Sequence, residues 1–403
     1  MANFKYEIFD ATGKSSKGVI ESSSIAEAAK ALRAEGRYIA SLTADTGSSV
    51  LNMKIGSPKL KTKELVIICR QLSSLLGAGI TIIRALDMLY QQMTSKKAKA
   101  VIGAVYEGIQ SGKTLSEAFN DQSKALPDIM ISMITAGEES GRLDEVMIRL
   151  STHFEKEAKL KNKVAAAMVY PVILAIVTVL ITVGLMVGIV PQFAKTLKEL
   201  GTPLPAITRV VMGMSDSMIT FWYIYTLIVV TIVVFWRAYR RSEKGGLAWD
   251  KFKLKVPVVG KSVKATASAR FTRTMSTLLR SGINVLEAME ITSRALGNRY
   301  LQFRLRESRN EIRKGSSISR AVRGIAEFPP MIYAMIAIGE ESGTLDTILD
   351  RAADYFEEEA DAATAKMTAA MEPIMIVIMA IVVVFVVAAC GAPILSMATS
   401  IPT

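Results

Sequence analysis

Met133-Ile-Thr-Ala-Gly-Glu-Glu-Ser-Gly141 returns about 200 residues later as Met335-Ile-Ala-Ile-Gly-Glu-Glu-Ser-Gly343, changed at two of nine positions. Each copy leads into an uncharged stretch long enough to cross a bilayer. Upstream, Leu75-Leu76-Gly77-Ala78-Gly79-Ile80 corresponds to Leu278-Leu279-Arg280-Ser281-Gly282-Ile283, and downstream Tyr170-Pro171 corresponds to Glu372-Pro373. The repeating unit is therefore a whole helical domain with its membrane segment, so whatever one copy folds into, the other must too.

Half of the 403 residues are hydrophobic and 21% are charged, too apolar for an ordinary soluble enzyme and too charged for a compact transporter. The net charge of +12 fits nucleic acid or an anionic membrane surface, and placement decides between them. Lys159, Lys161 and Lys163 abut the first apolar stretch, while Arg237, Arg240, Arg241 and Lys244 follow the second. This is juxtamembrane charge, and the basic residues lack the interleaved aromatics of a single-strand binder, so no nucleic acid is expected. The two cysteines, Cys69 and Cys390, and the single histidine, His153, provide neither a disulfide framework nor a metal-ligand set, so no cofactor is expected.

Residues 164 to 190 hold no charge and, at about 1.5 Å per residue, exceed the roughly 30 Å hydrocarbon core. A shorter second span is expected over residues 218 to 236, and a third over 373 to 395, where Gly391 and Pro393 would end the helix and leave a tail over 396 to 403. The loop 191 to 217 carries only Lys195, Lys198 and Arg209, against a large Lys/Arg excess in the segments before span one and between spans two and three. The positive-inside rule then puts the N-terminus and both repeats in the cytoplasm, with the short loop and C-terminus extracytoplasmic. The first residues carry no apolar run of a cleavable signal, which agrees with a cytoplasmic start. Span two is a connector with no counterpart in either repeat. Without it, head-to-tail duplication would strand the second copy on the far side.

Residues 1 to 55 alternate polar and apolar over 4 to 9, 17 to 21 and 38 to 44 around an Ala-rich helical stretch at 24 to 35, which predicts a small β-β-α-β module. The first cytoplasmic bundle is expected over 56 to 163, after a linker near Gly56 and Pro58, and the second, preceded by its own linker, over 237 to 371. Each reads as about six helices. Thr114 to Glu117 and Asn284 to Glu287 are capping boxes, and Pro127 or Pro329-Pro330 opens the helix that ends in Gly-Glu-Glu-Ser-Gly. No glycine or proline interrupts the pattern from Leu143 to Pro171 or from Leu345 to Pro373, so the last helix of each bundle and its span read as one rod.

Little in the chain looks catalytic. Gly108-Ile-Gln-Ser-Gly112-Lys113-Thr114 imitates a phosphate loop, but three residues rather than four separate its glycines and a helical pattern precedes it. The acidic turns Glu138, Glu139, Gly141 and Glu340, Glu341, Gly343 admit three readings: a carboxylate pair for acid/base or cation chemistry, a solvated helix-to-helix turn, or a docking surface for a partner. Tyr170-Pro171 and Glu372-Pro373 read as membrane-interface or kink positions, with Glu372 an anchor or a pairing group. No catalytic residue and no metal ligand are expected. A transporter component or a membrane-bound enzyme stays open as an alternative, although the spans lack mid-membrane ionisable groups and no convergent catalytic set is visible.

The combination of residues 75 to 80, Gly112-Lys-Thr-Leu-Ser116, Gly-Glu-Glu-Ser-Gly-Arg-Leu (137 to 143), Tyr170-Pro171 and their second-copy counterparts resembles the PilC/GspF family. These are inner-membrane platform proteins of type IV pilus and type II secretion machines. Copy two departs where Glu372 replaces the tyrosine. The resemblance implies a non-enzymatic, multi-pass, self-associating protein of the bacterial inner membrane. It further implies coupling of a cytoplasmic hexameric assembly ATPase to extraction of pilin or pseudopilin subunits, among other inner-membrane assembly proteins and membrane lipids.

Overall fold

In the computed structural model the described residues are 2–9, 15–22, 38–45, 59–189, 191–192 and 220–399, with isolated positions at 209–210, 213 and 216–217. They divide into two units, Met1–Pro58 and Lys59–Thr403.

In the first unit three strands, β1 (Ala2–Phe9), β2 (Ser15–Ser22) and β3 (Tyr38–Asp45), form an antiparallel sheet in the order β2-β1-β3. Phe9 pairs with Ser15 on one side and Tyr38 on the other, and the β1–β3 register shifts between Glu7 and Ile8. These strands cover the period-2 segments; the helix expected over 24 to 35 and the linker near Gly56 lie outside the described residues.

The second unit is helical. Copy one contributes α1 (Thr62–Gly77), α2 (Ile82–Gln92), α3 (Lys96–Gln110), α4 (Leu115–Asp121), α5 (Asp128–Glu139) and α6 (Leu143–Ala167). The first span follows as α7 (Val169–Gly184) and a π-helical turn, Leu185–Ile189. A connector of α8 (Trp222–Arg241) and α9 (Glu243–Lys255) precedes copy two. Copy two comprises α10 (Val259–Arg280), α11 (Val285–Ala295), α12 (Arg299–Arg313), α13 (Ile318–Arg323), α14 (Pro330–Ser342) and α15 (Leu345–Thr399). Matching residues close matching cores: Ile68, Leu72, Phe119, Ile134 and Phe154 are buried in the first, and their counterparts Phe271, Met275, Val322, Ile336 and Phe356 in the second.

The helix boundaries follow local chemistry. Gly79 and Gly282 take positive φ, letting Ile80 and Ile283 donate back to the carbonyls of Leu75 and Leu278 at 3.0 and 3.2 Å, which ends α1 and α10. Thr114 and Glu117 form the expected capping box. At α11 Asn284 accepts from the Glu287 N–H, but Glu287 meets the Asn284 side-chain amide rather than its backbone.

Among the described residues three helices are long and apolar enough to cross a membrane: Leu143–Gly188, Trp222–Arg241 and Leu345–Ile381. At most 11% of their apolar windows is buried against protein, which leaves the apolar surface to lipid. The two rods differ. The first is interrupted at Met168, three residues before Pro171, which has no N–H to offer the carbonyl of residue 167. The second runs 55 residues through Pro373 without a break. It also passes Gly391 and Pro393 and continues to Thr399 rather than stopping near Leu395, since an isolated proline or glycine in a spanning helix forfeits little.

The rods lie side by side and point the same way. Lys156 pairs with Asp354 at 2.6 Å and Lys163 pairs with Asp361, and both pairs have a sequence separation of 198. A constant separation one heptad apart requires parallel helices; antiparallel ones would hold the sum of the numbers constant. The last helices of both copies therefore run toward their apolar spans in the same direction.

Candidate functional site

The duplicated Gly-Glu-Glu-Ser-Gly turn joins three helices in each copy. Its first glycine permits contact: a Cβ on Gly137 would lie 2.9 Å from Val146 Cγ2, and one on Gly339 would lie 2.8 Å from the Leu345 Cα. Its last glycine, Gly141 or Gly343, has φ of +69°, and the next N–H, of Arg142 or Thr344, donates back to that first glycine's carbonyl at 2.9 or 3.0 Å. The serine closes on the previous turn, Ser140 Oγ donating to Ala136 O and Ser342 Oγ to Ile338 O, both at 2.7 Å.

Between the glycines, the first glutamate is an internal clamp. Glu138 accepts the N–H groups of Leu115 and Ser116 at 2.7 and 2.9 Å, capping α4 from more than twenty residues away. Glu340 does the same for α13, accepting from the Ile318 N–H at 2.8 Å, the Ser319 N–H at 3.2 Å and the Ser319 hydroxyl at 3.0 Å. Burial would raise the Glu138 carboxyl, but the Ser116 hydroxyl, the two backbone donors and the Thr114 hydroxyl outweigh it and hold the group below its ordinary value. Glu139 and Glu341 are exposed. Each acidic turn is thus half mortar and half surface.

Where the copies meet, a charged seam appears that motif reading missed. Arg273 of α10, its side chain 11% exposed, reaches Asp350 at 2.7 Å, Glu357 at 2.6 Å and Asp354, all on α15. Lys156 of α6 shares two of these carboxylates, contacting Asp354 at 2.6 Å and Glu357 at 3.2 Å. Arg270 reaches Glu157 at 3.0 Å, and Arg294 of α11 reaches Asp128 of α5 at 2.7 Å. The signal was present as heptad spacing, with Arg149, Lys156 and Lys163 on α6 and Arg273 and Arg280 on α10. Copy one keeps an exposed version of the pair, Arg70 to Glu155 at 3.8 Å.

His153 sits inside this seam, its Nδ1 without a hydrogen-bond partner. Burial, reinforced by the Arg273 charge, pushes it down to about 4. The remaining candidates lie apart. Tyr170, Glu372 and Pro373 are exposed and Pro171 is buried. The phosphate-loop lookalike is a helix-to-helix turn between α3 and α4, with Lys113 paired to Asp121 at 2.6 Å. Among the described residues no group of three or more His, Cys, Asp or Glu converges on a metal-sized site. Burial pushes the Cys69 thiol up, as expected of a packing residue.

Residues 68–191 and 271–393 each match the family described as "Type II secretion system (T2SS), protein F", and residues 1–43 match that family's N-terminal domain. The two matches fall on the two repeats with their spans. This chain belongs to the protein F family. Among its relatives, the type IV pilus assembly protein PilC of Thermus thermophilus is 36% identical over 381 residues, covering 93% of each chain. The type II secretion system proteins F of Pseudomonas aeruginosa and Vibrio cholerae are 32% and 30% identical over 403 residues, covering 98% of this chain and 99% and 98% of theirs. The protein F family is named for a component of a secretion machine rather than for an enzyme, and its membership together with three candidate spans makes this a multi-pass membrane protein.

Two outcomes follow for the purified chain. Glu340→Ala removes the acceptor of three hydrogen bonds and lowers stability by about 2 kcal/mol, whereas Glu341→Ala changes it by less than about 0.5 kcal/mol, as read by denaturant unfolding. For His153 the neutral form is favoured by the fold, so the unfolded chain binds the extra proton between pH 6.5 and about 4 and stability falls as pH drops through that window. The thermal midpoint of His153→Leu is correspondingly flatter between those pH values, although Arg270, Arg273, Lys156, Glu157 and Glu357 still face the site.

Proposed function

We propose that this protein is the non-enzymatic inner-membrane platform of a type IV pilus or type II secretion assembly machine, coupling a cytoplasmic hexameric ATPase to extraction and polymerisation of pilin or pseudopilin subunits. The observation that carries it is the parallel pair of rods: two bundles tied by the Arg273–Lys156 seam end in helices that continue into the apolar spans. Displacement of the second bundle would move α15 inside the bilayer with no break between them, and displacement of the first would pass through the turn at Met168.

On this reading the cytoplasm holds the N-terminus, an α+β module over residues 1 to 55, and the bundles over 56 to 163 and 237 to 371. The spans are 164 to 190, 218 to 236 and the segment from 373 onward, with the 191 to 217 loop and the C-terminus outside. The module and bundles face the motor, the spans face pilins, other assembly proteins and lipids, and the chain self-associates. Within the acidic turns, Glu139 and Glu341 are the docking groups, because Glu138 and Glu340 are occupied inside their own bundles. The same pair of clamped turns serves no catalytic step.

Reporter fusions settle the orientation: an enzyme that needs the cytoplasm is active when fused near residue 300, and activity of a periplasm-dependent reporter there overturns it. For the coupling, Ala365→Pro places a break at an exposed position of α15 between bundle and span. Cells carrying it in place of the wild type make pilin and insert the protein but lose most fibres, whereas Ala365→Ser cells assemble them; normal fibres in the proline strain refute the lever.

A further inference from the structure

A groove of about 980 Å³ opens where the connector meets copy two, walled by the exit of α9, the start of α10 and the membrane-proximal turns of α15. Its floor is apolar and shallow, with Ala265, Phe328, Pro330 and Ala363. Its rim carries Lys255, Lys261, Lys264 and Lys366, opposed by Glu327 and Glu359. These lysines form no ion pair with the acidic residues of the described chain, unlike the cations of the seam. The lip is held by an uncommon turn: Val258 has φ of +68°, and the Val259 N–H donates to the Pro257 carbonyl at 2.8 Å. A β-branched residue at positive φ is strained, so this backbone is fixed by its surroundings rather than by preference.

The groove lies beside the start of the third span. Ala370 on its wall precedes Pro373 by three residues, about 4.5 Å along the helix. Trp249 of α9 packs edge-on against Trp236 of the spanning α8 at 4.5 Å, and Phe252, 56% exposed, lies beside it, as aromatic side chains do at a membrane surface.

We propose that this groove seats one anionic phospholipid from the leaflet on the bundles' side, with its phosphate among the four lysines and an acyl chain along the alanine floor. A zwitterionic lipid gains little from the rim, a basic peptide is repelled by it, and a free phosphate makes no use of the floor. The inference rests on the membrane placement of α15 given above and is independent of the assembly role. Fibre formation reads that role and lipid retention reads this one. The α9 exit that forms its lip belongs to the connector.

The test is native mass spectrometry of the full chain in detergent, offered phosphatidylglycerol or phosphatidylcholine, with glycerol phosphate as a tail-less competitor. The expected result is retention of one phosphatidylglycerol per chain, no comparable retention of phosphatidylcholine, and no displacement by glycerol phosphate. Lys261→Gln/Lys264→Gln/Lys366→Gln weakens retention roughly a hundredfold, since each lysine near an anionic head group contributes several-fold. Ala363→Trp blocks the floor while keeping every lysine, and it loses the lipid too. Lys159→Gln/Lys161→Gln, near the first span and outside the groove, retains it. Undiminished retention by the triple variant, equal binding of phosphatidylcholine, or displacement by glycerol phosphate would overturn the proposal.

Discussion

Lys156 and Arg273 share the carboxylates of Asp354 and Glu357, and this partly buried four-membered contact fixes how the two repeats relate. Burial pulls the Arg273 guanidinium down from its ordinary value, but Glu357 and Asp354 outweigh it and raise it. Buried pairs of this kind are weak sources of net stability, but removing one partner leaves an uncompensated charge and is costly. The parallel direction of α6 and α15 follows from the Lys156–Asp354 and Lys163–Asp361 pairs.

The duplicated turn shows how the same logic operates within a repeat. A carboxylate that reads as surface charge in the sequence is turned inward to satisfy the open N-terminus of a short helix. Helices of the length of α4 and α13 are too short to hold themselves, and a charge-assisted cap from the neighbouring helix supplies what propensity cannot. The adjacent glutamate, one position on, is rotated about 100° around the helix and faces solvent. Two neighbouring identical residues thus have different roles, fixed by geometry alone.

Much of this was legible from residue order. Repetition identified the two bundles, uncharged length identified the spans, and glycines at 79, 141, 282 and 343 marked turns whose positive φ the structure displays. The reach of Glu138 to Leu115 was not legible, because no local pattern reports a partner more than twenty residues away. Nor was the seam, whose two lysine–aspartate pairs join residues 198 positions apart, although its heptad spacing was in plain view. The two prolines were alike in sequence and behave differently in the fold: the helix breaks ahead of Pro171 and continues through Pro373. His153 read only as a residue outside any metal-ligand set. The chain buries it, at the cost of sensitivity to acid.

The unequal rods have a mechanical meaning. Copy one reaches the lipid through a helix broken at Met168 and loosened again by the wide turn at Leu185–Ile189, whereas copy two does so through a single 55-residue shaft. The two repeats, alike in sequence, thus join bundle to span through one interrupted leg and one continuous leg. On the lever reading proposed above, the first would bend at Met168 while the second would pass a displacement along its whole length.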